Sequence, residues 1–89
     1  MFQHKNNRFF MNDENGKMVA EITYSVSDKI IIIDHTFVDP SLRGQGIASK
    51  LVDSVVELAK KENKKIIPLC PYAKKLFENS ETYQKIWYR

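Results

Sequence analysis

The sequence predicts a small α/β domain of the α+β type. It has a mixed sheet whose first three strands are antiparallel, one main crossover helix to a parallel fourth strand, and short helices at the C-terminus. Three observations carry this. From Met18 to Val26 the residues Met18, Ala20, Ile22, Tyr24 and Val26 alternate with Val19, Glu21, Thr23 and Ser25, the period of a strand with one buried face. Ile30 to Val38 is apolar on both faces in its first half, as in a central strand covered above and below. Ile47 to Lys61 then takes the helical period, and Lys65 to Cys70 returns to an apolar run. Strand, helix and strand at this spacing close a right-handed crossover, so the flanking strands are parallel and adjacent or nearly so.

In chain order, Arg8 to Met11 is the first strand, and Asn12 to Gly16 is a turn in which Asn15-Gly16 tolerates positive φ. After the second strand, Ser27-Asp28-Lys29 turns the chain into the third. Asp39-Pro40 ends that strand, because proline disfavours helical geometry in the residue before it. In the helix, Ile47, Leu51, Val55 and Leu58, with Ala48, Val52 and Ala59 beside them, form an apolar stripe. Lys50, Asp53, Glu57, Lys60 and Lys61 face water, with Glu57 and Lys61 in the favourable order for a helical ion pair. Pro68 cannot donate to a ladder, so it marks an edge, a bulge or a place where pairing stops. Pro71 to Asn79 is a short helix with Leu76 and Phe77 available for packing. Ser80 caps a final turn through Ile86, and Tyr83, Trp87 and Tyr88 cover the sheet.

A length of 89 residues bounds a single domain, 1–89, near the low end of independent stability. Hydrophobic content of 43% is ordinary for a globular protein and argues against a disordered chain. The net charge of +3 is spread over lysines scattered among acids, which suits an anionic cofactor, nucleic acid or an ordinary solvated surface. Met1 to Asn7 has no apolar core of signal-peptide length and no segment approaches a membrane span, so the expectation is a cytoplasmic protein without a membrane partner. The lone Cys70 excludes an internal disulfide and argues against zinc, so no metal site is expected.

The stretch from Val38 to Ala48 joins the third strand to the long helix. Gly44 and Gly46 remove two side chains where that helix begins, leaving backbone N–H groups open. The helix macrodipole adds positive potential, so the loop suits a phosphate, although a ligand-free turn closed by glycines has the same composition. Neither the Gly-Lys-Ser/Thr of a P-loop nor the third glycine of a dinucleotide fingerprint is present. Cys70 precedes Pro71, which favours the first helical position, so the thiol caps a helix whose dipole favours thiolate. It reads as a candidate nucleophile or as a small buried hydrophobe. His35, placed by alternation on the face of Ile31, Ile33 and Phe37, is a candidate general base or a satisfied core histidine.

Arg43-Gly44-Gln45-Gly46-Ile47-Ala48 resembles the Arg/Gln-x-x-Gly-x-Gly/Ala signature of the GNAT superfamily of acyl-CoA N-acyltransferases. The resemblance implies a minimal GNAT-like fold. Backbone amides of Gly44, Gln45, Gly46, Ile47 and Ala48 hold the pyrophosphate of acetyl-CoA, and Arg43 adds a charged contact. Thr36, Phe37 and Val38 pair with pantetheine. Two parallel strands splay at their carboxyl ends, and Pro68 opens that wedge. His35-Thr36-Phe37-Val38 and Pro68-Leu69-Cys70-Pro71-Tyr72 are similar to the His-Thr-x-Val and Pro-x-Cys-Pro-Tyr segments of a compact single-domain branch of about this length. In that setting Pro71 and Tyr72 belong to the coenzyme site, and Tyr72, ahead of Tyr83, is the candidate to protonate the departing CoA thiolate. The likeness runs from roughly Met18 to the C-terminus. It lacks the N-terminal helices and last hairpin of larger relatives, and has Asn79-Ser80-Glu81 where the branch often has His-Pro-Glu.

The function implied is acetyl transfer from acetyl-CoA to an amine, on a small molecule or a protein. Two routes fit: direct transfer with His35 as base and an N–H near Val38 stabilising the oxyanion, or acetylation of Cys70 followed by transfer. A non-catalytic acyl-CoA-binding module is the alternative, and mild basicity alone leaves a nucleic-acid-binding reading.

Overall fold

The computed structural model describes residues 2–89. Five strands form one sheet in chain order: β1 (Gln3–His4), β2 (Arg8–Asn12), β3 (Met18–Val26), β4 (Ile30–Val38) and β5 (Lys65–Pro68). The first four pair antiparallel, and β4 and β5 pair parallel across the crossover made by α1 (Ile47–Glu62). Two short helices follow, α2 (Pro71–Glu78) and α3 (Glu81–Gln84). The antiparallel start and parallel finish match the sequence expectation. The addition is β1, reached through Asn6 and Asn7 with φ of 53° and 62°, a left-handed pair that asparagine tolerates. A two-residue strand is too short to show a period.

Hydrophobic burial explains the layering. Ile22, Ile31, Ile33 and Ile66 from the sheet meet Leu51, Val52, Val55 and Val56 from α1 and Ala73 and Phe77 from α2, all fully buried in one cluster. The helices therefore lie on one face. Ile30 and Ile32 on the other are half-buried, so β4 is not covered on both sides as its composition suggested.

Register decides what β4 presents. Tyr24 lies opposite Ile33 while Thr23 lies opposite His35, so Asp34 is an extra residue, a β-bulge. Its carboxylate accepts from Ser25 Oγ at 2.8 Å on the outer face. A one-residue insertion reverses the phase of everything after it. Thr36 and Val38, opposite Ile22 and Ala20, thus join the helix face, and His35 and Phe37 point away from it. The expectation that His35 shares a face with Ile31 and Ile33 is corrected by this bulge.

The β4–β5 ladder stops at Ile33 and Pro68. Leu69 and Cys70 both donate their N–H to Ile33 O, at 3.1 and 3.2 Å, and the chain then turns into α2 while β4 runs on to Val38. Pro68 is buried, so it marks the end of pairing and not an exposed edge. Asp39 N donates to Val19 O at 2.8 Å. Alternation back from there directs the backbone groups of Phe37 and His35 at β3 and those of Val38 and Thr36 into the gap between β4 and α2.

The C-terminus adds a ribbon beside β5: Ile66 donates to Ile86 O at 2.7 Å and accepts from Tyr88 N at 2.8 Å. Trp87 packs edge-on to Phe77 with ring centroids 5.8 Å apart, and Tyr83 packs on Phe77 at 5.1 Å. Tyr88 is 51% exposed and is not among the residues packed against the core, contrary to the sequence reading. Ser80 caps α3 by accepting from Tyr83 N at 3.2 Å. Glu57 pairs with Lys60 at 3.4 Å and not with Lys61, an exposed contact worth a few tenths of a kcal/mol at most. No helix among the described residues is long and apolar enough to cross a membrane.

Two outcomes follow for stability. Phe77→Ala, which empties the junction of α2, Tyr83 and Trp87, should cost about 3–5 kcal/mol in urea unfolding. The Tyr83 hydroxyl donates to Asp53 Oδ1 at 3.1 Å, tying α3 to α1. Burial and then the Asp53 carboxylate push the tyrosine up to about 12. Its folded pKa thus lies above the unfolded value of about 10, so the stability it contributes is complete below pH 10 and is lost as pH rises through 12. Unfolding curves of wild type and Tyr83→Phe measured across that window should converge as pH rises.

Candidate functional site

The site begins where β4 ends. Asp39 accepts from Ser41 N at 3.0 Å and Ser41 Oγ at 2.7 Å, which shapes the single 3-10 turn Pro40–Leu42. Those two bonds, the backbone one foremost, hold the Asp39 carboxyl below the usual carboxylate range. Leu42 and Arg43 then donate to Asp39 O and Pro40 O, and the pairing stops. From Gly44 to Ser49 no backbone N–H has a backbone partner among the described residues; the first bond of α1 is Lys50 N to Gly46 O at 3.1 Å. Gly44 and Gly46 take φ of 85° and 74°, left-handed values that L side chains rarely adopt. Gly46 caps α1 with no side chain, and the first turn holds no acid. The dipole is therefore unopposed from within the chain, and Arg43 adds a charge of the same sign.

A cavity of about 510 Å³ opens on these amides, lined by Thr36, Val38, Leu42, Arg43, Gly44, Gly46, Ile47, Ala48 and Tyr72. Its chemistry is graded. One end offers free N–H groups and a guanidinium, the middle is aliphatic, and the side toward α2 carries a hydroxyl and a phenol. Backbone N–H and C=O groups of Val38 and Thr36 face the gap in strand geometry. An extended molecule with an anionic head and an amide-bearing arm fits this order of groups.

At the closed end of the gap stands Cys70, the N-cap of α2 and 8% exposed. Its Sγ is 3.5 Å from Thr36 Oγ1. Burial pushes the thiol up, but the Thr36 hydroxyl and the backbone N–H groups of Ala73, Tyr72 and Thr36 outweigh it, and the thiol lies below its ordinary value. No cap hydrogen bond of ordinary geometry reaches the sulfur from α2, so those amides act on it chiefly as oriented dipoles. The candidate nucleophile and the buried hydrophobe of the sequence reading are thus one side chain: buried and polarised.

Of the residues singled out in the sequence, the cavity gathers Thr36, Val38, Arg43, Gly44, Gly46, Ile47, Ala48 and Tyr72. Cys70 is outside its lining but touches Thr36, which is in it. Phe37, on the other face of β4, and Gln45 and Pro71, both exposed, are not part of the lining. His35 is exposed on the face away from Cys70, with the sheet between them. Leu42 was not anticipated. It is the one aliphatic side chain between Val38 and Ile47, and a solvated loop gives no reason for one there.

The sequence profile described as GCN5-related N-acetyl-transferase matches residues 8–86. The chain belongs to the GCN5-related N-acetyltransferase family. Among relatives, an uncharacterized N-acetyltransferase of Methanocaldococcus jannaschii is 32% identical over a 68-residue alignment that covers 68% of this chain and 30% of that protein. A GCN5-like candidate N-acetyltransferase from Staphylococcus aureus, solved by NMR, superposes with a TM-score of 0.81 at 39% identity, covering 99% of this chain and 87% of that one. A Mycobacterium tuberculosis protein crystallised in complex with CoA aligns at TM-score 0.60 and 23% identity over 70% of this chain and 40% of that one, a likeness of fold. The family's core is therefore present in a chain that spans 30% of the curated relative's length.

The loop geometry sets a local cost. Gly46→Ala should destabilise by about 1–2 kcal/mol through its left-handed backbone alone, since a Cβ there meets nothing within 4 Å. Urea unfolding of this variant beside Ser49→Ala, on the same turn at ordinary φ, checks the assignment.

Proposed function

We propose that this chain is an acetyl-CoA-dependent N-acetyltransferase that works through an acetyl-cysteine at Cys70 and passes the group to an exposed amine. The observation that carries the reading is one continuous cavity running from the unpaired amides of Gly44, Gly46, Ile47 and Ala48 along β4 to Thr36, which contacts the Cys70 sulfur. A protein of the same fold holds CoA, and a pyrophosphate suits the amide end. Arg43 adds charge there. The pantetheine arm lies against Val38 and Thr36, whose backbone groups supply strand-like partners.

The chemistry balances in two steps. The Cys70 thiolate attacks the thioester carbonyl, the new S–C bond forms, and the C–S bond to CoA breaks. CoA leaves as thiolate and takes up the proton that Cys70 released, with the Tyr72 hydroxyl beside the cavity as its carrier. The amine then attacks acetyl-cysteine, the C–S bond breaks, Cys70 returns as thiolate, and the amine's proton passes to solvent. His35 is left out of the scheme because the sheet separates it from Cys70. Tyr72, which lines the cavity, is 41% exposed, so the site opens to solvent on that side and suits an amine presented from outside, on a small molecule or a protein surface.

Mass spectrometry of the intact protein after brief exposure to acetyl-CoA tests this. One acetyl group should be gained, lost on adding an amine acceptor and absent in Cys70→Ala. Coenzyme binding without mass gain or thiol release would make the chain a binding module. In calorimetry with CoA, Gly46→Val should lose about tenfold or more in affinity, because its side chain stands at the amides, while Cys70→Ala should bind as wild type does.

A further inference from the structure

We propose that Thr36 is a positioning residue: its hydroxyl holds the Cys70 sulfur at the closed end of the gap and stabilises the thiolate by a hydrogen bond. The inference rests on the acetyl-cysteine reading and goes beyond it by naming the group that makes a buried thiol usable. Three independent features meet at this contact. Thr36 faces Cys70 only because the Asp34 bulge reverses the phase of β4; without it Thr36 would point away from α2 and His35 toward it. Cys70 is fixed at its backbone, its N–H bonded to Ile33 O at 3.2 Å, so its Cα stays at the β4–β5 junction and the side chain alone decides whether the sulfur meets Thr36. Thr36 also lines the cavity, so the residue that touches the sulfur borders the coenzyme space as well.

The roles of the hydroxyl follow from its chemistry. A threonine oxygen both accepts and donates. It accepts from the thiol in the resting state at 3.5 Å, and by rotation of its hydrogen it donates to the thiolate. The groups acting on the sulfur are hydrogen-bond donors of β4 and α2, with no charged side chain among them. The titratable side chains flanking the contact are His35, next along β4 but on the opposite face, and Tyr72, on the first turn of α2. Burial pushes the thiol up, and the Thr36 hydroxyl is the foremost of the donors that lower it, ahead of the backbone amides.

The test uses the full chain, in which Cys70 is the only cysteine and its thiolate absorbance can be titrated without interference from another thiol. Thr36→Val removes the hydroxyl and keeps the shape and the backbone N–H; Thr36→Ser keeps the hydroxyl. Wild type and Thr36→Ser should titrate below the ordinary thiol value of about 8.5, and Thr36→Val about one pH unit higher than wild type, roughly tenfold less thiolate at neutral pH. Should the valine variant not fold by circular dichroism, Thr36→Ala carries the same expectation. A valine variant that titrates with wild type overturns the proposal, and so does a serine variant that tracks valine, since that is an effect of packing. Acetylation followed by mass on the same samples separates the two readings. An unacetylated wild type with the shift intact sinks the acetyl-cysteine route alone. Acetylation with no shift sinks Thr36 alone.

Discussion

The parting of β4 from β5 is the constraint on which the rest of this structure depends. Parallel pairing ends at Ile33 and Pro68, where two successive N–H groups, Leu69 and Cys70, converge on one carbonyl. A residue later Asp34 bulges out of the β3–β4 ladder. One irregularity frees the edge of β4 and the other chooses which side chains it presents there. Neither alone would make a site. Without the end of pairing, the backbone of Thr36 and Val38 would be used in the sheet; without the bulge, the outer face would carry Thr36.

Two helix starts share the space so opened. The N-terminus of α1 is bare because glycines at left-handed φ replace side-chain caps, and a run of amides is left unpaired. The N-terminus of α2 is capped by a thiol that makes no ordinary cap bond, so its dipole too is directed outward. One pole suits a phosphate and the other a thiolate, and β4 is the ruler between them. Stability elsewhere is conventional: isoleucines of the sheet and valines of α1 in a single core, with Phe77 locking α2 and the C-terminal aromatics to it.

Most of this architecture was legible in the sequence, because the elements are long and strongly periodic. Alternation from Met18 to Val26 and the stripe of Ile47, Leu51 and Val55 are signals of burial, and burial is what fixes those elements. The glycine loop was legible through residues whose backbone freedom has few other uses. What failed did so for a physical reason. His35 was misplaced because strand alternation counts residues, and a bulge changes the count without marking the sequence: Asp34 is an ordinary polar residue held by Ser25. β1 was missed because two residues carry no period. Tyr88 looked like a cover for the sheet, but its backbone is held at the edge of β5 and its ring is left outside. The Thr36–Cys70 contact joins positions 34 residues apart in the chain, and it depends on the register error that alternation could not see.

That dependence ties the polarisation of the Cys70 thiol to the register of the sheet. A buried cysteine resists ionisation, and a cysteine at a helix N-terminus favours it; here both hold at once. The outcome rests on the donors that burial brings within reach. The hydroxyl arrives by the Asp34 bulge and the space beside it by the end of β4–β5 pairing at Ile33 and Pro68, so two neighbouring backbone features bring cavity, hydroxyl and sulfur together. A shift of β4 by one residue against β3 would turn Thr36 to the outer face, so the register of that strand pair decides whether hydroxyl and sulfur meet.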